Sequence, residues 1–330
     1  MNAIYALPCP SAPCADILAH PKPGTSPLVM KRGRAIAAWS DPATWGDRLP
    51  RAGDSVVIPP GGRVLMDVSP PPLKGLQIDG LLWFDDGEVS LTAQWIMVRG
   101  EFRIGAPERP AVGRAEITLA SLSRPGRHTG GTGTRFLTAL DGGRVLFCGE
   151  WRQSRAKLAA SAEAGARDIL VDQVLEWRPG DRVVVGLSGS PAHLAEERGL
   201  ESVEGNVLRL DEPLAHAHWG GLQTYRGATT DWRTEVGLLT RNVVIRGEAA
   251  AGGGYLMVMP RGRLHLESVE LTGLGHQEHL PVHLDPAVGP EAFAMTGSSL
   301  HHNRRPVSML FQGDWHGLRH NVVYDPAPPG

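Results

Sequence analysis

A short motif recurs along this chain: a small polar residue, two or three strand formers, then a turn. Ile78-Asp79-Gly80-Leu81-Leu82-Trp83-Phe84 superimposes on Val98-Arg99-Gly100-Glu101-Phe102-Arg103-Ile104 at a step of 20 residues. Segments beginning at Asn242, Ser268, Ser298 and Asn321 repeat one another at steps of 26, 30 and 23. A unit this short cannot bury its own apolar face and must stack on its neighbours, which is the logic of a solenoid. Between the repeats lie further apolar runs such as Val56-Val57-Ile58, Val145 to Phe147 and Val183 to Val185, separated by Gly, Pro and Asp. That spacing reads as many short strands. Asn-Gly, the strongest hairpin signal, is absent, so a parallel β-helix is expected rather than an antiparallel sandwich.

Composition supports an all-β chain. Gly 41 and Pro 27 in 330 residues make turns frequent and helices few. Only residues 154–167 have a helix-like composition, interrupted by Gly165. No run of about 18 apolar residues occurs, so no membrane span is expected. A formal net charge of −2 gives no reason to expect a nucleic-acid partner. The cations are nearly all arginine, lysine occurring only at 22, 31, 74 and 157, and arginine grips carboxylates in fork geometry. Cys9, Cys14 and Cys148 imply no disulfide framework, although Cys9 and Cys14 could pair in an oxidising compartment. Residues 1–38 read as a proline-rich leader without a visible secretory signal, which leaves localisation and oligomeric state open.

One stretch carries a family resemblance. Trp39-Ser40-Asp41-Pro42-Ala43-Thr44-Trp45, Pro50, Gly53-Asp54, Val57-Ile58-Pro59, Gly62, Asp67, Gly80, Gly100 and Ile104-Gly105 together resemble the eight-glycine (G8) domain family. Trp177-Arg178-Pro179-Gly180-Asp181, Leu239 to Ile245, Pro281-Val282-His283 and Leu300-His301-His302 are similar to the coils that follow that domain in its hyaluronan-degrading members. The resemblance implies a right-handed parallel β-helix of the pectin-lyase-like kind, with the G8 domain at 39–150 and coils over 151–330. It further implies a secreted or cell-surface setting and a partner polysaccharide chain containing uronate, hyaluronan-like. Two departures weigh against activity: His283 is followed by Leu284-Asp285 where the family has a second histidine, and the relatives continue for several more coils beyond Gly330.

Histidine is crowded toward the C-terminus, eight of thirteen falling after residue 264. Imidazole transfers protons near neutral pH and binds metals. The catalytic candidates are His283, Asp285, His301, His302 and Asp325, with Arg304, Arg305, Asp314, Trp315 and His316 as substrate-binding residues. By the repeat alignment, Thr272, His302 and Asp325 share one column, with His301 beside Leu271 and Tyr324. Hydrolysis would use two carboxyl groups, from Asp285, Asp325 and Asp314. Elimination next to a uronate would use His283 or His302 as base with Arg304 or Arg305 as cation. Calcium or another divalent cation is a candidate cofactor and no ligand set is assigned to it. A non-catalytic glycan-binding or adhesion module, and a fragment of a longer enzyme, stand as alternatives. Trp151, Trp219 and Trp232 are candidates for stacking on sugar rings, as are Trp83, Trp95 and Trp315, whereas Trp39 and Trp45 are expected to pack as structural plugs. The Gly-rich run from Gly126 to Arg135 reads as a mobile loop.

Overall fold

A computed structural model describes residues 27–30, 35–121, 135–186, 195–248, 253–275, 280–303 and 317–324. The chain is all-β. It shuttles between parallel sheets, and each circuit lays one strand on the strand of the circuit before. One sheet stacks Ala37–Ala38, Arg63–Met66, Leu81–Phe84, Glu101–Ile104, Arg144–Cys148, Arg263–Glu267, Phe293–Thr296 and Leu318–Arg319 in that order. The other starts with Leu28–Val29, Ser55–Ile58 and Leu73–Ile78, and then branches at Val89–Val98. The first half of that ten-residue strand pairs with Ala115–Leu119, the second with Phe136–Ala139. The first branch continues through Val243–Gly247, Val269–Thr272, Ser299–His301 and Val322–Tyr324.

Alternation along each strand places the same position of successive circuits in one buried column. Val56, Leu76, Ile96, Leu137, Leu256 and Val282 form one such column, every member at most 1% exposed. Phe84, Phe102 and Phe147 stack inside the second sheet, with ring centroids 5.5 and 4.9 Å apart. Trp39 and Trp45 are buried, as expected of plugs, with Trp45 Nε1 donating to the Trp39 carbonyl at 2.9 Å. Glycine is required where circuits turn the corner: a Cβ on Gly80 would lie 2.2 Å from the Gly62 carbonyl oxygen, and one on Gly100 would lie 2.0 Å from that of Gly80.

The stretch from 155 to 238 departs from the expected run of parallel coils. It leaves the stack after Cys148, returns at Val243, and forms a six-stranded antiparallel sheet with its own core of Leu158, Ile169, Val171, Trp177, Val183, Val185, Leu208, Leu210, Val236 and Leu238. The parallel stack is continuous across it, since Val243–Gly247 pairs directly with Ala115–Leu119. Its turns do not need Asn-Gly: one hairpin turns through Gly205 and another through Arg226-Gly227, all in the left-handed region. The helix-like composition of 154–167 yields no helix, because Arg155–Lys157 pairs with Glu235–Leu238 and long-range pairing overrides local propensity. Both stalks are tied at the exit. Asn242 donates to the Ala111 and Gly113 carbonyls and accepts from the Glu150 N–H, while Arg152 forms a buried ion pair with Asp181 at 2.7 Å.

One register differs from the repeat alignment. Thr272 pairs with His301 and then Tyr324, not with His302 and Asp325, so the step is 29 rather than 30. Left-handed residues at the corners set it: Ser268, Gly297 and His320 at one, Gly273 and His302 at the next.

Candidate functional site

Of the expected groove, His283, Asp285, His301 and His302 lie among the described residues. His283 lies on Val282–Leu284 in the second branch, whereas His301 ends Ser299–His301 in the first. Asp285 caps its own turn, accepting from the Ala287 N–H at 2.8 Å. Burial lowers the His283 pKa, with Asp285 opposing, which favours the neutral ring. Arg304, Arg305, Asp314, Trp315, His316 and Asp325 lie outside the described residues, as do Cys9, Cys14 and nearly all of the 126–135 run. Among the described residues no group of three or more His, Cys, Asp or Glu converges to hold a metal ion.

What the fold brings together is a chain of four side chains at the corner between the first branch and the inserted sheet. His301 Nε2 stands 3.3 Å from Glu270 Oε1, inside ion-pair reach though not aligned as a hydrogen bond. The Nδ1 atoms of His301 and His302 are 2.8 Å apart, and His302 Nε2 lies 3.0 Å from Glu197 Oε2. Thr272 Oγ1 approaches His301 Nδ1 at 3.4 Å. Between two Nδ1 atoms one must donate and the other accept. With His301 accepting, N–H groups face Glu270 and Glu197 together only when the two rings share one imidazolium.

Each member is placed by a different element. Glu270 and His301 project from neighbouring strands of the first branch, and His302 occupies the left-handed corner at φ 53° that swings its ring outward. Glu197 comes from the inserted strand Glu196–Glu204 and also pairs with Arg182. Burial would raise the Glu270 carboxyl, but the neighbouring His301 ring and the Arg241 backbone N–H outweigh it and hold the pKa below the usual range. Glu270 is therefore ionised at neutral pH and is not a general acid. Burial, reinforced by Glu197, raises the Tyr324 phenol, with Arg198 and Arg182 opposing. The His301 side chain is only 7% exposed, whereas the His302 ring is 44% exposed, beside Tyr324 at a centroid distance of 6.1 Å.

Behind the corner, Arg241 is 1% exposed and donates through Nε to the Gly297 carbonyl and through Nη1 to that of Thr240. Burial and the nearby Arg152 push its pKa down to about 10, against Glu270 and Asp181, so it remains charged at neutral pH. Inserted sheet and coils meet in an apolar contact of Val184, Leu239 and Val322. Sequence reasoning found His301 and His302 but missed Glu270, Glu197, Arg182 and Tyr324. An acidic residue in the strand motif Val269-Glu270-Leu271 was a readable signal, whereas nothing in the sequence tied Glu197 to a histidine more than a hundred residues away. Of the candidate stacking tryptophans, Trp95 is buried and Trp315 lies outside the described residues, while Trp151, just before the inserted segment, and Trp219 and Trp232, within it, are exposed.

Stacked parallel strands with a glycine corner, interrupted by an antiparallel insert, define an all-β protein built by repetition. Residues 44–159 match the G8 domain family. The chain is similar to human fibrocystin-L, 33% identical over 222 residues, covering 64% of this chain and 5% of that protein. Mouse fibrocystin is 30% identical over 293 residues, covering 77% of this chain and 7% of the relative. A G8 domain-containing protein of Dictyostelium discoideum is 25% identical over 278 residues, covering 76% and 24%. The chain thus spans less than a tenth of the length of either fibrocystin. Among solved structures, the tailspike gp61 of Pseudomonas phage phi297 matches with a TM-score of 0.25 at 11% identity, covering 82% of this chain and 39% of that one. The Acinetobacter baumannii phage AP22 tailspike Gp54, solved with a capsular saccharide, matches at 0.23 and 11%, covering 76% and 41%. No helix among the described residues is long and apolar enough to cross a membrane.

Proposed function

We propose that the chain is a right-handed parallel β-helix module, of the pectin-lyase-like kind, that binds a uronate-containing, hyaluronan-like polysaccharide outside the cell. The observation that carries this reading is the corner itself. A half-exposed imidazole, a phenol and the exposed guanidinium of Arg182 stand together there, on a scaffold fixed by Glu197 and Glu270. An aromatic face suits a sugar ring, and arginine with an imidazole N–H suits its carboxylate. Depolymerisation is the second reading, favoured by one feature: two imidazoles in series between two carboxylates can move a proton toward the exposed His302 ring. Glu270, held ionised, would serve there as a base or electrostatic partner.

The test incubates the protein with size-defined hyaluronan and a panel of other uronate polysaccharides, following retention, chain length and absorbance of unsaturated products. The expected result is salt-sensitive retention that His302→Ala weakens, with chains left intact. Shortened chains without new absorbance would establish hydrolysis, and with it elimination. Absence of retention on every uronate polymer would end the binding proposal.

A further inference from the structure

The inserted sheet carries an open cleft of about 320 Å³, away from the histidine corner. Its charged lining comes in matched pairs. Arg155 Nη1 lies 3.1 Å from both carboxylate oxygens of Glu235, Lys157 Nζ lies 2.9 Å from Asp231, and Arg233 Nη2 lies 3.1 Å from Asp172. Arg233 also reaches Asp231 through Nε at 2.9 Å. The hydrogen bonds from Arg233 and Lys157 keep the Asp231 carboxyl far below the usual range. Gln173 adds an amide, whereas the Ala156 side chain is buried in the core on the other face of the sheet.

This chemistry selects a ligand class. The three cations and three carboxylates cancel, so a charged ligand gains no net attraction and must break an existing pair to engage one sign. An apolar ligand finds only charged and amide side chains on this face. A ligand dense in hydroxyls suits every group at once, because each hydroxyl both donates and accepts: carboxylate oxygens take its protons while guanidinium and ammonium N–H groups donate to its oxygens. We infer that this cleft is a binding subsite for an uncharged saccharide residue, distinct in preference from the uronate-binding corner. Its place in the fold is defined by register. Arg155, Gly237, Val184 and Glu197 are successive partners across the sheet and point to one face, so cleft and corner share that face about 14 Å apart at ~4.8 Å per strand, with Val322 packed between them. The inference does not rest on the function proposed for the corner.

Lys157 makes the test direct, because it is one of only four lysines in the chain, and its side chain is 29% exposed. Amine acetylation followed by peptide mass spectrometry reads Lys157 against Lys74 in the same folded molecule. Uncharged six-unit oligomers of glucose, galactose, mannose and N-acetylglucosamine serve as probes, with a uronate oligomer of equal length beside them. At about ten times its Kd the bound oligomer should slow Lys157 modification roughly ten-fold, since only the free fraction reacts. Lys74 should be unaffected, and Arg233→Ala should cut the affinity. His302→Ala should leave Lys157 protection intact, which separates this cleft from the corner. Unchanged Lys157 rates with every neutral oligomer, equal slowing at both lysines, or protection by the uronate oligomer alone would each overturn the assignment.

Discussion

The coils and the inserted sheet are built from the same kinds of strand residues and held by different means. In the coils, one inward position repeated through successive circuits makes the core, and charged side chains lie outside that column. In the insert, apolar packing is supplemented by buried ions: Arg152 with Asp181, and His218 Nε2 at 3.0 Å from Glu196, which also accepts the Ala215 and His216 N–H groups. The coils spread stability over many equivalent contacts, so any one is replaceable. The insert depends on a few specific pairs at its stalk and edge, because it has no neighbouring repeat to stack upon.

That contrast is most exposed to failure at Arg152. Arg152→Ala leaves Asp181 buried without its partner, which should cost about 3–5 kcal/mol. Hydrogen exchange should show protection lost in Arg182–Val185 and Glu235–Leu238 before the coil strands; simultaneous loss everywhere would mean that the two regions are one cooperative unit. Gly100→Ala addresses the coils instead. Its Cβ meets the Gly80 carbonyl, and overpacking of roughly 1–3 kcal/mol should lower the thermal midpoint. An unshifted midpoint would show that the glycine corner can yield.

Acid acts where the two regions meet. Glu270 and Glu196 both have lowered pKa values, burial being outweighed for Glu270 by the adjacent His301 ring and the Arg241 N–H, and for Glu196 by hydrogen bonds from the Ala215 N–H, His218 and the His216 N–H. A depressed carboxylate contributes stability above its unfolded pKa, and the contribution disappears as pH falls through the folded value. Urea titrations should therefore show stability falling on acidification below about pH 4.5, the ordinary carboxylate range. Glu270→Gln should flatten that slope; an identical pH profile in the variant would remove Glu270 from the account. The smallest stability effect belongs to His302→Ala. Loss of a half-exposed ion pair should cost only about 0.2–1 kcal/mol, so any marked loss of polysaccharide retention in that variant would reflect recognition rather than folding.

The parallel stack was legible because its signal is local and repeated. Alternation in Leu73–Ile78 and Glu101–Ile104 states which residues face inward, and the step between repeats states what stacks on what. The misjudged step at His301 shows the limit: Ser298 looks like Ser268, but its equivalent is Gly297, because both Ser268 and Gly297 occupy the left-handed corner. The inserted sheet was hidden because its strands have ordinary β composition and its hairpins turn through Gly205 and Arg226-Gly227 rather than through a recognisable pair.

By itself the sequence determined an all-β chain of short stacked units, a G8 domain and a C-terminal concentration of histidine. Tertiary structure alone decided that 155–238 folds apart from the stack, that His283 and His301 belong to different branches of one sheet, and that Glu197 meets His302. The physical reason is range. Period and alternation are properties of neighbouring residues, whereas the partner of a strand edge or an imidazole is chosen by whichever distant segment the whole fold brings within about 3 Å.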